Sequence, residues 1–223
     1  DTDAAVRHGL ALAADGADLV DVGGESTRPG AQRAEPDVEL ARVIPVIEQL
    51  VAAGVNVSID TMRASVAEAA VRAGAVLVND VSGGLADPQM LEAVAELGVD
   101  YVAMHWRGHG SDMQSRAVYD DVVTDVCAEL AARRDAALAA GIAPRNLVLD
   151  PGLGFAKTAV HNWELLANLG DLAELGFDLL VGASRKSFLG ALLADASGTP
   201  RPVDQRELAT VALTTLLVQQ GIW

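Results

Sequence analysis

The sequence predicts an α/β fold in which a parallel sheet closes into a (β/α)8 barrel of the TIM type. Three observations carry that expectation. Short aliphatic runs alternate with amphipathic helical patterns along all 223 residues. The runs are nearly continuous in Val, Leu and Ile, as strands covered on both faces must be. No glycine fingerprint of an open dinucleotide-binding sheet follows the first run, and Gly152-Leu153-Gly154 is too short and too late to serve as one.

Taken in order, a helical stretch opens the chain ahead of the first run, ADLVDVGG (17–24). The later strand-like runs are VNVSIDT (55–61), AVLVNDVS (75–82), DYVAMHW (100–106), NLVLDPG (146–152) and FDLLVGAS (177–184). Helical patterns lie near 37–53, 64–73, 86–97, 119–140, 159–169 and 185–194, and an apolar one near 204–219. The chain begins on a helix without a preceding strand and ends at Gly221-Ile222-Trp223, where another strand starts. Six runs plus one at each end make the eight of a barrel. Residues 1–223 therefore read as one barrel domain, without internal linker or repeat, truncated at both termini.

Composition narrows the function classes. Hydrophobic residues make up 51% of the chain, enough for a sizeable core, while aromatics make up only 4%. The longest apolar runs are broken by charge before membrane-spanning length and no basic, apolar leader opens the chain, so a soluble, cytoplasmic protein is expected. A net charge of −15 disfavours nucleic acid and anionic membranes as partners, and anionic substrates would have to be held by a few local cations. The single Cys127 reads as a half-buried structural thiol. The four histidines, His8, His105, His109 and His161, show no metal-ligand spacing, and His8 and His161 read as surface residues of helices.

Polar residues gather where the strands end: Asp21, Asp60, Asn79-Asp80, His105, Asp150 and Ser184-Arg185-Lys186. In a parallel barrel these ends share the face that carries the active site. Any one of them is explained as well by a helix cap or a turn, Asp150-Pro151-Gly152 above all. All of them together point to a site. Asp60, Asn79 and Asp150 are short, acceptor-rich side chains suited to the amino-amide edge of a flat heterocycle, and Lys186 brings a cation from the opposite side. Arg28 and Lys186 supply positive charge for an anion. The loop GGESTRPG (23–30) reads either as an anion-handling segment or as a plain surface turn. Lys186 also has a Schiff-base reading, with Arg185 beside it to depress its pKa, although no partner acid for imine chemistry stands out.

The strings DVGGESTRPGA (21–31), VSIDT (57–61), VNDVSGG (78–84), MHW (104–106), LDPGLGFAK (149–157) and GASRKSFLG (182–190) occur in this order along the chain. In that set the sequence resembles the dihydropteroate synthase family, and GGESTRPG together with SRKSFLG is the most specific pair. The resemblance implies condensation of a dihydropterin pyrophosphate with p-aminobenzoate in folate biosynthesis, with Mg2+ assisting and no covalent enzyme intermediate. It implies pterin contacts from Asp60, Asn79, Met104, Asp150, Phe155 and Lys186, with Asp60, Asp150 and Lys186 carrying the chemistry. It further implies a p-aminobenzoate loop of Thr27, Arg28 and Pro29, contacts from Ser184 and Lys186, and support from Asp21 and Arg185. Sulfonamides would compete for that site, and a homodimer through late helices is expected. The family's metal-side Asn would lie before residue 1 and its Arg-x-His after Trp223, so no metal ligand is expected within this chain, which taken alone should fold poorly or stay inactive.

Three rivals remain beside this reading. A pterin-dependent methyltransferase resembles the barrel but has no need of STRPG or the SRK cation. A non-catalytic pterin-binding homologue retains every motif named above. A sulfonamide-insensitive variant would differ within residues 25–33.

Overall fold

The computed structural model describes residues 1–27, 30, 33–109 and 112–223. Six parallel strands pair strictly in sequence order: β1 (Val20–Gly23), β2 (Val57–Asp60), β3 (Leu77–Asp80), β4 (Asp100–Met104), β5 (Leu147–Asp150) and β6 (Asp178–Leu179). Between and around them lie α1 (Thr2–Ala14), α2 (Pro36–Ala52), α3 (Ala64–Arg72), α4 (Met90–Leu97), α5 (Val122–Ala139), α6 (Ala159–Ala167), α7 (Leu169–Ala173), α8 (Ser187–Leu192) and α9 (Glu207–Gln219). Consecutive strands joined through helices, each pairing with the next, are consecutive elements of a (β/α)8-type barrel. Beyond β6, the Trp223 N–H donates to the Leu179 carbonyl at 2.9 Å, so the chain there runs against the last strand.

Every strand and helix the sequence predicts is present, with shifted edges. The helix expected over 159–169 splits at Asn168, whose φ of −122° leaves the helical region and whose side-chain amide bonds the Glu164 carbonyl. The helix expected from 86 begins at Met90, because Asp87 spends its carboxylate on the Ala64 and Gln89 N–H groups. Among the described residues, no helix is long and apolar enough to cross a membrane. His161 does more than sit on a surface: it closes a capping box with Thr158 at the start of α6 and packs edge-on against Tyr119.

Successive residues of a strand face opposite sides of a sheet, and this parity sorts the chain. Val20, Val22, Val57, Ile59, Val78, Tyr101, Ala103, Leu147 and Leu149 point outward and join the main core against the helices. Leu77, Val102 and Val148 point inward and pack into a separate apolar layer with Leu19 and Leu180. Above that layer, towards the strand ends, the inward positions turn polar. Gly23 lies in register with Asp60, and a Cβ there would come within 3.3 Å of the Asp60 carboxylate.

Candidate active site

The inward positions near the carboxyl ends of five adjacent strands are Asp21, Asp60, Asn79, Met104 and Asp150, and all five line one cavity of about 880 Å3. Register places Asp60 beside Asn79 and Met104 beside Asp150. Lys186, just ahead of α8, and Phe155, in the loop after β5, complete the polar end of the cavity. The Lys186 ammonium stands 4.5 Å from the centre of the Phe155 ring, a cation–π contact.

Hydrogen bonds separate the groups that are occupied from those that are open. Asp21 accepts from Ser58 Oγ at 2.6 Å and from Asn79 Nδ2 at 3.1 Å, which orients the Asn79 amide. Asp150 accepts from the Gly152 N–H at 2.7 Å through one oxygen. Gly152 sits at φ 66°, and a Cβ there would strike the His105 carbonyl at 2.6 Å, so the turn that aims this N–H requires glycine. No donor among the described residues reaches the Asp60 carboxylate or the Asn79 side-chain Oδ1, and these oxygens face the cavity.

The cavity also disturbs titration. Burial, followed by the charges of Asp21, Asp80, Glu39 and Glu25, raises the Asp60 carboxyl well above its ordinary range. Burial pushes Asp150 up to about 6, against the opposing pull of the Gly152 N–H, Lys186 and Lys157. Burial likewise lowers Lys186, while Asp150 and Asp60 support its charge. Perturbed, mutually coupled groups in one cleft mark a chemical site.

Other expected residues are placed differently. Thr27 lines the cavity, whereas Arg28 and Pro29 lie outside the described residues. Ser184 and Arg185 are exposed and do not line the cavity. Arg185, at φ 51°, is instead held by its backbone: its N–H donates to Thr210 Oγ1 and its carbonyl accepts from Arg206. The depression of Lys186 comes from burial, not from Arg185. Asp80 and His105 follow Asn79 and Met104 directly, so parity turns them out of the cavity. Asp80 is buried and accepts from Ser82, the Gly84 N–H and the Tyr101 hydroxyl. His105 is buried between Glu129 and Lys157.

An ion cluster beside the loop that carries Thr27 was not legible in the sequence. Arg63 donates to Glu25 at 2.7 Å, to Glu39 and to the Ala34 carbonyl, while Glu25 also accepts from Arg33 and the Ala34 N–H. Thr61 Oγ1 donates to Glu39 at 2.6 Å. Burial alone would raise the Glu25 carboxyl, but Arg63 and Arg33 outweigh it and hold the group below its ordinary value. The cluster fastens residues on both sides of the loop to the start of α3.

The family described as "Pterin binding enzyme" matches residues 1–223. The chain belongs to the dihydropteroate synthase family of pterin-binding enzymes. It is 56% identical to a dihydropteroate synthase of Mycobacterium leprae over 224 aligned residues, which span 100% of this chain and 79% of that one. A solved Xanthomonas albilineans dihydropteroate synthase with 4-aminobenzoic acid matches at TM-score 0.90 and 47% identity, covering 99% of this chain and 77% of that one. A Yersinia pestis dihydropteroate synthase in complex with a sulfonamide drug matches at TM-score 0.92 and 40% identity, covering 99% and 78%. Within a dihydropteroate synthase barrel, the polar end of the cavity just described lies at the carboxyl ends of the strands, where barrel enzymes build their sites.

Proposed function

We propose that this protein condenses a 6-hydroxymethyl-7,8-dihydropterin pyrophosphate with p-aminobenzoate, giving dihydropteroate and pyrophosphate. The observation that carries the reading is the open acceptor set of Asp60, Asn79 and Asp150 facing Lys186 across one cavity. A pterin's amino-amide edge presents N–H donors, and these three side chains present acceptor oxygens, of which among the described residues only one, on Asp150, is taken by a protein N–H. Phe155 and Met104 offer apolar surface for the ring faces.

In the step itself, the bond from the pterin methylene carbon to the pyrophosphate oxygen breaks, and its electron pair leaves with pyrophosphate. The arylamine nitrogen then donates its lone pair to that carbon and gives up a proton. Positive charge that develops on the pterin is stabilised by the carboxylates of Asp60 and Asp150, already fixed in a poorly solvated site. Lys186 acts as a donor and cation towards the substrates, its charge supported by Asp150 and Asp60. Thr27 borders the p-aminobenzoate side, where sulfonamides would compete, and the expected contacts from Ser184 remain part of this proposal, as do those from Arg28 and Pro29.

Mg2+ belongs to the proposal as a companion of the pyrophosphate, held by phosphate oxygens and water. Among the described residues, no group of three or more His, Cys, Asp or Glu is placed to hold a metal ion, so no step here is assigned through it. Cytoplasmic placement is proposed with it, in keeping with a single, free Cys127. A homodimer is proposed through α9, whose Leu208, Val211, Leu216 and Val218 are exposed. Sedimentation at micromolar concentration should give twice the chain mass, and a monomer there ends that part of the proposal.

The deciding experiment measures pyrophosphate release from the dihydropterin pyrophosphate by the full-length protein, with and without p-aminobenzoate, beside Lys186→Ala. Release should require p-aminobenzoate and fall by about 10²-fold or more in the variant. A folded protein that binds pterin and releases nothing would instead be a non-catalytic homologue.

A further inference from the structure

Among the described residues Lys157 is the most enclosed cation near the cavity, yet it does not line it. Its residue is 4% exposed, and its ammonium meets three acceptors: His105 Nδ1 at 2.9 Å, the Phe155 carbonyl at 3.1 Å and the Gly152 carbonyl at 3.2 Å. An ammonium has three protons, so nothing is left over for a ligand. His105, 1% exposed, places its other ring nitrogen 2.9 Å from Glu129. Burial, then the Lys157 charge, keeps the imidazole neutral by pushing it down to about 4. With Glu129 accepting the Nε2 proton, Nδ1 is the lone pair that faces Lys157. Glu129 in turn is held by Arg107, which lies over the Tyr119 ring at 3.9 Å.

What Lys157 grips is the wall of the cavity. Gly152 supplies the N–H that fixes Asp150 at 2.7 Å, and Phe155 supplies the ring beneath Lys186. The segment between them is an awkward one, with left-handed backbone at Gly152, Gly154 and Ala156. Glycine adopts that conformation freely, but at Ala156 it is strained and persists only where the surroundings hold it. Tyr119 holds the Ala156 carbonyl and Asn162 holds the Gly154 N–H, but among the described residues Lys157 alone bonds both carbonyls that bracket the turn.

We propose that Lys157, oriented by His105 and Glu129, is a positioning residue that sets Asp150 and Phe155 for the pterin substrate while leaving p-aminobenzoate recognition to other groups. This rests on the proposed synthase reading. The test is Lys157→Met, which keeps the apolar stem and removes the amine. At a temperature well below unfolding, the KM for dihydropterin pyrophosphate should rise about tenfold or more, with the KM for p-aminobenzoate changed less than about threefold. Calorimetric titration with 6-hydroxymethylpterin should weaken in parallel. Glu129→Ala, at the partly exposed end of the chain of contacts, should move the same pterin constant about threefold to tenfold. That variant carries the test if Lys157→Met does not accumulate as folded protein. A lower melting temperature with both KM values unchanged would make Lys157 a purely structural residue and overturn the proposal. So would equal losses for both substrates. If the unaltered protein binds no pterin, the synthase reading fails first and this inference with it.

Discussion

Asp150→Asn should abolish most activity while leaving the protein as stable as before, or more stable. Asp150 is buried, and its carboxyl titrates near 6 rather than 3.8. A raised carboxyl means that the folded state holds its proton more tightly than the unfolded chain does. Stability from this group is therefore greatest at low pH and declines as pH rises from about 4 to about 6, after which the full cost of the buried charge is in place. Two pKa units correspond to roughly 3 kcal/mol, an upper figure that Asn would relieve in part. Asn keeps an oxygen for the Gly152 N–H, so the turn survives. It lacks the charge that supports Lys186 and a cationic pterin, and kcat/KM should fall about 10²–10³-fold. The same logic gives the unaltered enzyme a lower pH limb, with pterin affinity declining below about 6, and that limb should be missing in the variant. Chemical denaturation from pH 4 to 8, beside pterin titration, reads both effects. A variant that loses more than about 2 kcal/mol would show that the carboxylate is there for folding rather than for the substrate.

Arg63→Met should cost about 3–5 kcal/mol, because it strands the buried Glu39 carboxylate and leaves Glu25 with Arg33 alone, rather than deleting a surface ion pair. The Glu39 side chain is 1% exposed, that of Glu25 6%, and that of Arg63 only 14%. Met fills much of the same volume, so the loss reports uncompensated charge more than a cavity. The double variant Arg63→Met with Glu39→Gln should recover part of the loss, since one stranded charge is then neutral. Urea unfolding of the four proteins closes the cycle. Additive losses would mean that Arg63 and Glu39 do not act as a pair. Because Arg63 also bonds the Ala34 carbonyl, the single variant should loosen the residues flanking the Thr27 loop and raise the KM for p-aminobenzoate.

Function is bought here with local instability: Asp60, Asp150 and Lys186 all titrate away from their ordinary values because burial outweighs what support their neighbours give. The ion cluster around Arg63 is the opposite arrangement, every charge answered by another. The contrast separates a site built for a ligand from one built for the chain.

The sequence by itself determined the alternation of strand and helix and the polar ends of the strands. These are local properties: runs of Val, Leu and Ile, a period of two, and turn residues at the right offsets fix them within a few positions. Tertiary structure alone decided which phase of that period faces inward, and so sent Asn79 and Met104 into the cavity but their neighbours Asp80 and His105 out of it. It alone brought Lys157 to His105 across 52 residues and Arg63 to Glu25 across 38. In the sequence each of these is a polar residue whose partner lies tens of positions away, and no local pattern names that partner. Strand register supplies the partner, and the loss of water on burial makes that partner indispensable.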